Sequence, residues 1–518
     1  MYWKRQMNKL MSQHINACIK SALSNTLKSL VVVIALCCPT FGSSQVTLDS
    51  LFSCDVLISE LDSLKQTIVE SHPDPYAFCG KEAFDRVFED SKLEIDTAMS
   101  VRDFTVIAAR CLGVMQDSHS SLDYGQLTEL QFGKEGYVMP MALQRVQSSA
   151  PERSYDLVAE RDWQNELPKG ARVLSINGND IDSLYALSLA YSCIEGSAES
   201  AKSAVAAAIL PVVSGLHFPS DSINTIEVIP FNSDSVVTIE LKGYKEKEYK
   251  RIRKARGKMK INEWINVSYD DERSLAVLKV ATFAPPNSRH FKKTVHKAFR
   301  DIHKNDIENV VIDLRNNGGG SSGWVEYLYS FLDDEGYNTP SNVIGKNSEI
   351  AMDRAHRFNH GFAKFIIKVF LKNDEDVQSF QHFAQMPWGD VDTLYFHDRT
   401  RQKRSLVFEG RSFLLINGLT ASAGVDFTNA FRSHQRGTIV GESCLGPVTG
   451  TWGNPAHYTL PYTKLRVTVA TIRYNYDNSF AYERNPIEPD HHVSTTAEDL
   501  FNGRDAQLEF VKELIDKK

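Results

Sequence analysis

The stretch NVVIDLRNNGGGSSGWVEYLYSFL (309–332) begins as an apolar run, turns at Asn-Asn-Gly-Gly-Gly and continues with the pattern of a helix. A second stretch, FLLINGLTASAGVDF (413–427), repeats this order of strand, turn and helix. Strand-like and helix-like segments alternate from about residue 270 to 500, which predicts an α/β core with parallel strands buried on both faces. Both turns follow the carboxyl end of a strand, where functional sites gather in such sheets.

Upstream of this core, the texture of the sequence changes twice. Apolar residues at three- and four-residue spacing predict an N-terminal helical domain over residues 45–128. Short β-like runs predict a β-rich domain over residues 129–245, with a hairpin turn at Asn177-Gly178. A basic stretch (246–268) is expected to form a linker or surface hairpin. The core then spans 269–518 and carries a polar, aromatic-rich insertion at about 335–400.

The first 44 residues have the pattern of a signal peptide. Residues 1–28 contain five basic side chains and no acidic one, and the apolar run SLVVVIALCC (29–38) follows. Small residues come next, at Gly42 and Ser44, in the positions that a cleavage site needs. We therefore expect an exported protein that is periplasmic, associated with the cell envelope, or secreted.

Composition excludes several classes of function. The chain has 518 residues, a net charge of −7 and no long basic run suited to phosphate contacts, so nucleic-acid binding is not expected. None of the five cysteines that follow the signal peptide are paired at CxxC spacing, so zinc is not expected. Cys54 and Cys79 could form a disulfide, but the odd count leaves at least one free thiol.

Two features of the core could carry chemistry, and each also has a purely structural explanation. The glycines at 318–320 could present backbone N–H groups to a negative charge, or they could simply form a tight turn between strand and helix. Ser422 could expose its Oγ as a nucleophile, with the N–H of Ala423 as an oxyanion donor, or it could cap the helix. Thr420 and Gly424 flank Ser422, so the G-x-S-x-G motif of α/β-hydrolases is absent.

The segments VVIDLRNNGGG, INGLTASAGVDF and GTIVGES together closely resemble the tail-specific (C-terminal-processing) serine peptidase family, peptidase family S41. The resemblance covers roughly residues 270–500. It implies a ClpP/crotonase-like β-β-α core, and a PDZ-like domain in the β-rich segment, where GARVLSINGNDI is similar to PDZ sequences. It also implies that Ser422 is the nucleophile, with an oxyanion hole formed by Ala423 and by Gly318 or Gly319.

The chain departs from the Ser-Lys branch of that family. Pro447 stands where this branch carries its lysine base, and the next lysine, Lys464, begins a strand-like segment. The sequence resembles instead the branch of the tricorn core and the interphotoreceptor retinoid-binding protein, because LGVMQDSHSSLDYG matches its early Ser-His turn. The resemblance implies that His119 is the base. It also implies that Glu483, in the segment ERNPIEPD, is the carboxylate that orients the histidine, with Ser118 as a relay.

These residue types form a coherent catalytic set. Serine needs a nearby base to attack a peptide bond, and histidine can take its proton and return it to the leaving amine. A carboxylate must orient and stabilise the imidazolium. We therefore predict a serine-type peptidase that acts on peptides or proteins and needs no cofactor. The alternative is a catalytically inactive peptidase-like module that binds peptides or apolar ligands.

Other polar residues are assigned lesser roles. Asp313 is expected to close a strand, and Arg315 is expected to form a structural ion pair rather than to bind a peptide carboxylate. Glu442 is a second candidate for orienting the histidine. His491 and His492 have no third ligand at a suitable spacing for a metal.

Overall fold

The structure is a computed structural model. It describes residues 46–133, 135–139, 141–148, 155–160, 166–256, 264–333, 342–349, 379, 381–395, 406–476 and 483–517. The predicted signal peptide, and most of the predicted insertion at 335–400, lie outside the described residues.

Helices dominate the N-terminal region, within the segments where the sequence predicts them. Helix α1 buries Leu57, Leu61, Leu64 and Ile68, whose three- and four-residue spacing places them on one face. The side chain of Ser100 accepts a hydrogen bond from the N–H of Asp103 and so caps α3. The elements of this region are β1 (Leu51–Phe52), α1 (Cys54–Ser71), α2 (Lys81–Leu93), β2 (Met99–Ser100), α3 (Val101–Gly113), β3 (Ser121–Leu122) and α4 (Tyr124–Phe132).

The next region is built on an antiparallel sheet with the strand order β4-β5-β6-β8-β9, and β7 pairs with β6. Asn177 and Gly178 join β6 to β7 with φ of 50° and 78°, which confirms the predicted hairpin turn. The elements are β4 (Leu143–Gln147), β5 (Tyr155–Ala159), β6 (Arg172–Ile176), β7 (Asn179–Asp180), α5 (Ile181–Tyr191), α6 (Glu199–His217), β8 (Ile223–Ile229), β9 (Val237–Lys242) and α7 (Glu246–Arg256).

Two helices of this region, α6 and α7, have unusual compositions for their positions. Within the described residues, α6 is the helix long and apolar enough by length and composition to cross a membrane. Its buried residues Ala206, Ala207 and Leu210 nevertheless belong to the core of the antiparallel sheet. Helix α7 corrects the prediction of a linker or hairpin after residue 245. Lysine, arginine and glutamate favour helices, and Glu246 pairs with Lys250 one turn later.

The α/β core contains a six-stranded sheet with the order β10-β11-β12-β15-β16-β21. Every neighbouring pair from β11 to β21 is parallel, and β10 is an antiparallel edge strand. Val310 and Ile312 face one buried cluster, whereas Val311 faces another that includes Val511 and Ile515. Burial on both faces confirms the predicted α/β core.

The elements that form this sheet and cover it are β10 (Ile265–Asp270), β11 (Leu275–Val280), α8 (Ser288–Lys304), β12 (Asn309–Asp313), α9 (Ser322–Tyr329), β15 (Arg411–Ile416), α10 (Ala423–Ser433), β16 (Thr438–Gly441), β21 (His491–His492), α11 (Ala497–Asn502) and α12 (Ala506–Asp516). Strand β10 begins inside the segment that the sequence assigns to the basic linker.

Two smaller sheets extend the core. One has the order β14-β13-β20-β17, and the other has the order β18-β19-β3. In the second sheet Ser121 pairs with Thr468 and Leu122 pairs with Val467, so the turn that carries His119 is tied to the core. The remaining strands are β13 (Asn342–Lys346), β14 (Val391–Tyr395), β17 (Gly450–Gly453), β18 (Ala456–Thr459), β19 (Arg466–Val469) and β20 (Ile472–Asn475).

Candidate active site

Ser422 occupies a strained turn between β15 and α10. Its φ of 51° and ψ of −124° are rare for a residue with a side chain, and conformations of this kind cost of order 1–3 kcal/mol. Ser422 is at the N-cap position, yet its side chain makes no capping hydrogen bond. The geometry therefore argues against a capping serine, because a serine that caps a helix accepts a hydrogen bond from one of the first backbone N–H groups.

The glycine turn after β12 lies directly against Ser422. Gly319 has a φ of 96°, and a Cβ placed on it would lie 2.7 Å from the Cβ of Ser422 and 2.9 Å from the nitrogen of Ala423. The N–H of Ala421 donates to the carbonyl of Asn317 at 2.9 Å, which joins the two turns. Glycine is therefore required here for the close approach of one backbone to the other.

The backbone donors around Ser422 differ in availability. The N–H of Gly319 donates to the Asn317 side chain at 2.8 Å, so it is already committed. Among the hydrogen bonds of the described residues, neither the N–H of Ala423 nor that of Gly318 has an acceptor. Ala423 is the first residue of α10, where backbone N–H groups lack partners within the helix. Ala423 and Gly318 are therefore the better-placed pair of the three predicted oxyanion donors.

His119 lies in the turn after α3, and its backbone is held by Asp117. The N–H of His119 donates to Oδ1 of Asp117 at 2.8 Å, and Ser120 donates its hydroxyl to Oδ2 of the same carboxylate. Nε2 of His72 lies 3.3 Å from Oδ2 of Asp117. Asp117 is fully buried, and the His72 partner holds its pKa below the usual range even though burial acts in the opposite direction.

The ring of His119 has two close partners at Nδ1. The hydroxyl of Ser118 is 3.2 Å from Nδ1, in keeping with the predicted contact between these neighbours. Oε1 of Glu195 is 3.5 Å away. Burial alone would lower the pKa of His119, but the nearby carboxylate of Glu195, with Asp117 and Asp426, raises it above the ordinary value.

Glu195 is a site residue that the sequence did not indicate. It lies between α5 and α6, is fully buried, and accepts hydrogen bonds from the hydroxyl of Thr451 at 2.8 Å and the N–H of Trp452 at 2.7 Å. A Cβ added to Gly446 would lie 3.2 Å from Oε2 of Glu195 and 3.0 Å from the side chain of Val425. The carboxylate is thus next to the first turn of α10, the helix that begins after Ser422.

Among the described residues, Glu483 makes no hydrogen bond or ion pair with His119. Glu483 is exposed, and no hydrogen bond or ion pair of its side chain occurs within the described part of the chain. Its neighbour Arg484 accepts hydrogen bonds at its carbonyl from the N–H and hydroxyl of Ser197, at 2.8 and 2.9 Å. Glu483 therefore borders the segment that carries Glu195, but Glu195 is the glutamate beside the imidazole.

The other polar residues singled out in the sequence have structural roles. Arg315 pairs with Asp313 and Asp505, at 2.8 and 2.6 Å, as the expected structural ion pair. Glu442 accepts a hydrogen bond from the hydroxyl of Ser494, and among the described residues it makes no hydrogen bond or ion pair with His119. The ammonium of Lys464 donates to the carbonyl of Pro461. His491 and His492 form the strand β21 and are both exposed. Pro447, at the position of the family's lysine, forms an isolated antiparallel bridge with Pro486.

Asp117, His119 and Glu195 could in principle hold a metal ion, since one ligand atom of each lies within 4.8 Å of the others. Their oxygens, however, already accept hydrogen bonds from two backbone N–H groups and from the hydroxyls of Ser120 and Thr451. The arrangement is accounted for by hydrogen bonds and by the ion pair with the imidazole. Cys54 and Cys79, the pair that the sequence left open as a disulfide, are both free thiols in the structure.

The α/β core thus holds a serine on a strained strand-to-helix turn, beside a glycine loop and next to backbone donors that have no acceptor among the described residues, which is an arrangement suited to a nucleophilic serine. Residues 274–493, which make up most of this core, match the family model described as Peptidase family S41. Among curated proteins, none matches the chain.

Solved structures of CPAF share the fold across nearly the whole chain. Mature CPAF is 15% identical, with a TM-score of 0.57 over 90% of this chain and 98% of the other. A point mutant of CPAF is 14% identical, with a TM-score of 0.62 over 89% and 96%. Mature CPAF complexed with lactacystin is 14% identical, with a TM-score of 0.56 over 89% and 98%. At these identities the likeness establishes the fold alone.

Proposed function

We propose that the protein is an exported serine peptidase in which Ser422 is the nucleophile and His119 is the general base. The observation that carries the proposal is the strained backbone of Ser422, which holds a hydroxyl free of any capping bond beside Gly319 and at the start of α10. Strain of this kind persists where the surrounding structure over-determines it, and it is concentrated at active sites.

The proposed reaction is acyl transfer from a peptide. Nε2 of His119 takes the proton of the Ser422 hydroxyl as Oγ attacks the scissile carbonyl. The N–H groups of Ala423 and Gly318 stabilise the oxyanion that forms. The imidazolium then protonates the leaving amine and the C–N bond breaks. Water attacks the acyl-enzyme with His119 again as base, the ester bond to Oγ of Ser422 breaks, and the imidazolium returns its proton to Oγ as the acid leaves.

The proposed substrate is a peptide or protein.

Two further parts of the proposal concern export and the β-rich domain. The basic leader and apolar run at the N-terminus support export, and the hairpin sequence GARVLSINGNDI in β6 and β7 supports a PDZ-like β-rich domain. In that domain α6 contributes Ala207 and Leu210 to the same core as Met141 and Leu143 of the β4 region.

The test is peptidase activity on an unfolded protein substrate. Ser422→Ala and His119→Ala should each reduce kcat by at least about 10³-fold, since the two groups act as one unit. Ser433→Ala is the matched control, because Ser433 ends the same helix and bonds only locally to Ala430. Ser422→Ala with the activity of the wild type would contradict the proposal. A wild-type protein that binds peptide without cleaving it would favour an inactive binding module.

A further inference from the structure

We propose that Glu195 is the carboxylate that positions the imidazole of His119 for catalysis, in place of the predicted Glu483. This inference rests on the proposed peptidase function and assigns a residue to it. Glu195 acts through His119, so it is a positioning residue. Four features of Glu195 support this role: its distance from the ring, the donors that hold it, its burial, and the different contacts made by the neighbouring carboxylate of Asp117.

The first feature is geometric. Oε1 of Glu195 lies 3.5 Å from Nδ1 of His119, whereas Oδ1 of Asp117 lies 3.8 Å away. A carboxylate at Nδ1 keeps the proton of the neutral ring on that nitrogen, which leaves the lone pair of Nε2 to accept the serine proton. Hydrogen bonds at active sites are often long before substrate binds and shorten in the complex.

The second and third features fix the carboxylate in place. Glu195 is fully buried, and Thr451 and Trp452 donate hydrogen bonds to it at 2.8 and 2.7 Å. Both donors belong to β17 of the core, so the position of the carboxylate is set by a strand rather than by a loop. Among the described residues, His119 is its ion-pair partner, and a buried carboxylate is stable only when it is paired or hydrogen-bonded.

The fourth feature is that Asp117 already has a different task. Its oxygens accept the backbone N–H of His119 and the hydroxyl of Ser120, and His72 lies 3.3 Å away. Asp117 therefore holds the backbone of the turn, while Glu195 faces the ring. The hydroxyl of Ser118 at 3.2 Å from Nδ1 completes the surroundings of the imidazole on this side.

The segment that carries Glu195 is attached to the core by hydrogen bonds of its own. The residue lies in the segment between α5 and α6, within the β-rich region, whereas Ser422 belongs to the core. The hydrogen bonds from Ser197 to the carbonyl of Arg484 and from Ser200 to the carbonyl of Ser443 attach this segment to the core.

The charged groups that face His119 are Glu195 before α6, Asp117 in its own turn, and Asp426 on α10. Asp426 itself accepts hydrogen bonds from Ser322 and Tyr476. Removing the charge of Glu195 should therefore lower the pKa of His119 while leaving the other two carboxylates in place. This change is specific to a positioning role and would not follow from a loss of stability alone.

The experiment compares Glu195→Gln with Glu483→Gln, and uses Glu199→Gln as the control. Glu199 is a nearby exposed residue in the first turn of α6. We expect Glu195→Gln to reduce kcat by about 10²–10⁴-fold with little change in KM, and to move the acidic limb of the pH profile to lower pH. We expect Glu483→Gln and Glu199→Gln to stay within about threefold of the wild type.

Two further measurements separate the possible failures. In the Ser422→Ala background, NMR titration of the imidazole should show a lower pKa for His119 when Glu195→Gln is added, whether or not the enzyme is active. Thr451→Val, which removes one donor to Glu195, should reduce kcat by about 3- to 30-fold. A full loss with Glu483→Gln and none with Glu195→Gln would overturn the assignment. If the wild type is inactive but Glu195→Gln still lowers the pKa of His119, the peptidase function is refuted and the pairing of Glu195 with His119 stands. If Glu195→Gln leaves that pKa unchanged, the pairing is refuted.

Discussion

Replacing Gly319 with alanine tests the close approach of the two turns. The added Cβ would lie 2.7 Å from the Cβ of Ser422, 2.8 Å from the carbonyl oxygen of Ala421 and 2.9 Å from the nitrogen of Ala423. Side chains are rarely tolerated at such distances, and the atoms met are mostly backbone. The substitution also places alanine at a φ of 96°, which is unfavourable for any residue with a Cβ.

The expected magnitude is the sum of two effects. Positive φ costs roughly 1–2 kcal/mol for a residue with a Cβ, and forcing a methyl group into a filled space costs roughly 1–3 kcal/mol. Gly319→Ala should therefore lower the free energy of unfolding by about 2–5 kcal/mol. If the turn relaxes by moving Ala423, kcat should also fall by about 10²–10³-fold, as when an oxyanion donor is lost.

Gly318→Ala is the matched control for this prediction. A Cβ on Gly318 meets nothing within 4 Å, and its backbone is outside the left-handed region. It should change the free energy of unfolding by less than about 1 kcal/mol. Denaturant titration of both variants, with activity measured on the folded fraction, gives the comparison. Equal midpoints for the two variants would refute the reasoning, because the contact between Gly319 and Ser422 would then not exist in solution.

The remaining predictions concern charge. Arg315→Met should lower the free energy of unfolding by about 3–5 kcal/mol in thermal or chemical denaturation, because it leaves the buried Asp313 without its partner. The control is Lys297→Met, at an exposed pair with Asp301, which should change the free energy of unfolding by less than about 1 kcal/mol. A loss no greater than that of Lys297→Met would show that the buried pair is not formed. Peptidase activity should rise with pH through the raised pKa of His119, because only the neutral imidazole accepts the serine proton. The stability that the charged ring contributes has the opposite dependence: it is fully present below the unfolded pKa of about 6.5 and is lost as the pH rises through the folded pKa. An activity that is flat across this range would count against His119 as the base.

The sequence predicted those parts of the fold that depend on local pattern. The apolar runs at β12 and β15, each followed by small residues and a helix, correctly predicted parallel strands buried on both faces. Asn177-Gly178 correctly predicted a hairpin, because few other dipeptides adopt positive φ at both positions. The basic stretch after residue 245 forms a helix rather than the predicted linker or hairpin, because its lysine, arginine and glutamate residues have high helix propensity.

The site was predictable where a residue's local geometry carries its role, and not where the role depends on distant contacts. Ser422 and Gly319 each lie in a short glycine-rich turn, and the structure brings these two turns together. Glu195 lies in an ordinary connection between two helices. It becomes a site residue only because Thr451 and Trp452, more than 250 residues later, donate hydrogen bonds to it. No spacing rule relates residues so far apart in sequence.

The central claim is that Ser422 is an activated nucleophile, and covalent labelling tests it most directly. The wild-type protein should react with a fluorophosphonate, and peptide mapping by mass spectrometry should place a single adduct on Ser422. Labelling should be lost in Ser422→Ala and slowed by at least about 10²-fold in His119→Ala, because the unassisted hydroxyl is a weak nucleophile. An adduct on another residue, or equal labelling of Ser422→Ala and the wild type, would contradict the account.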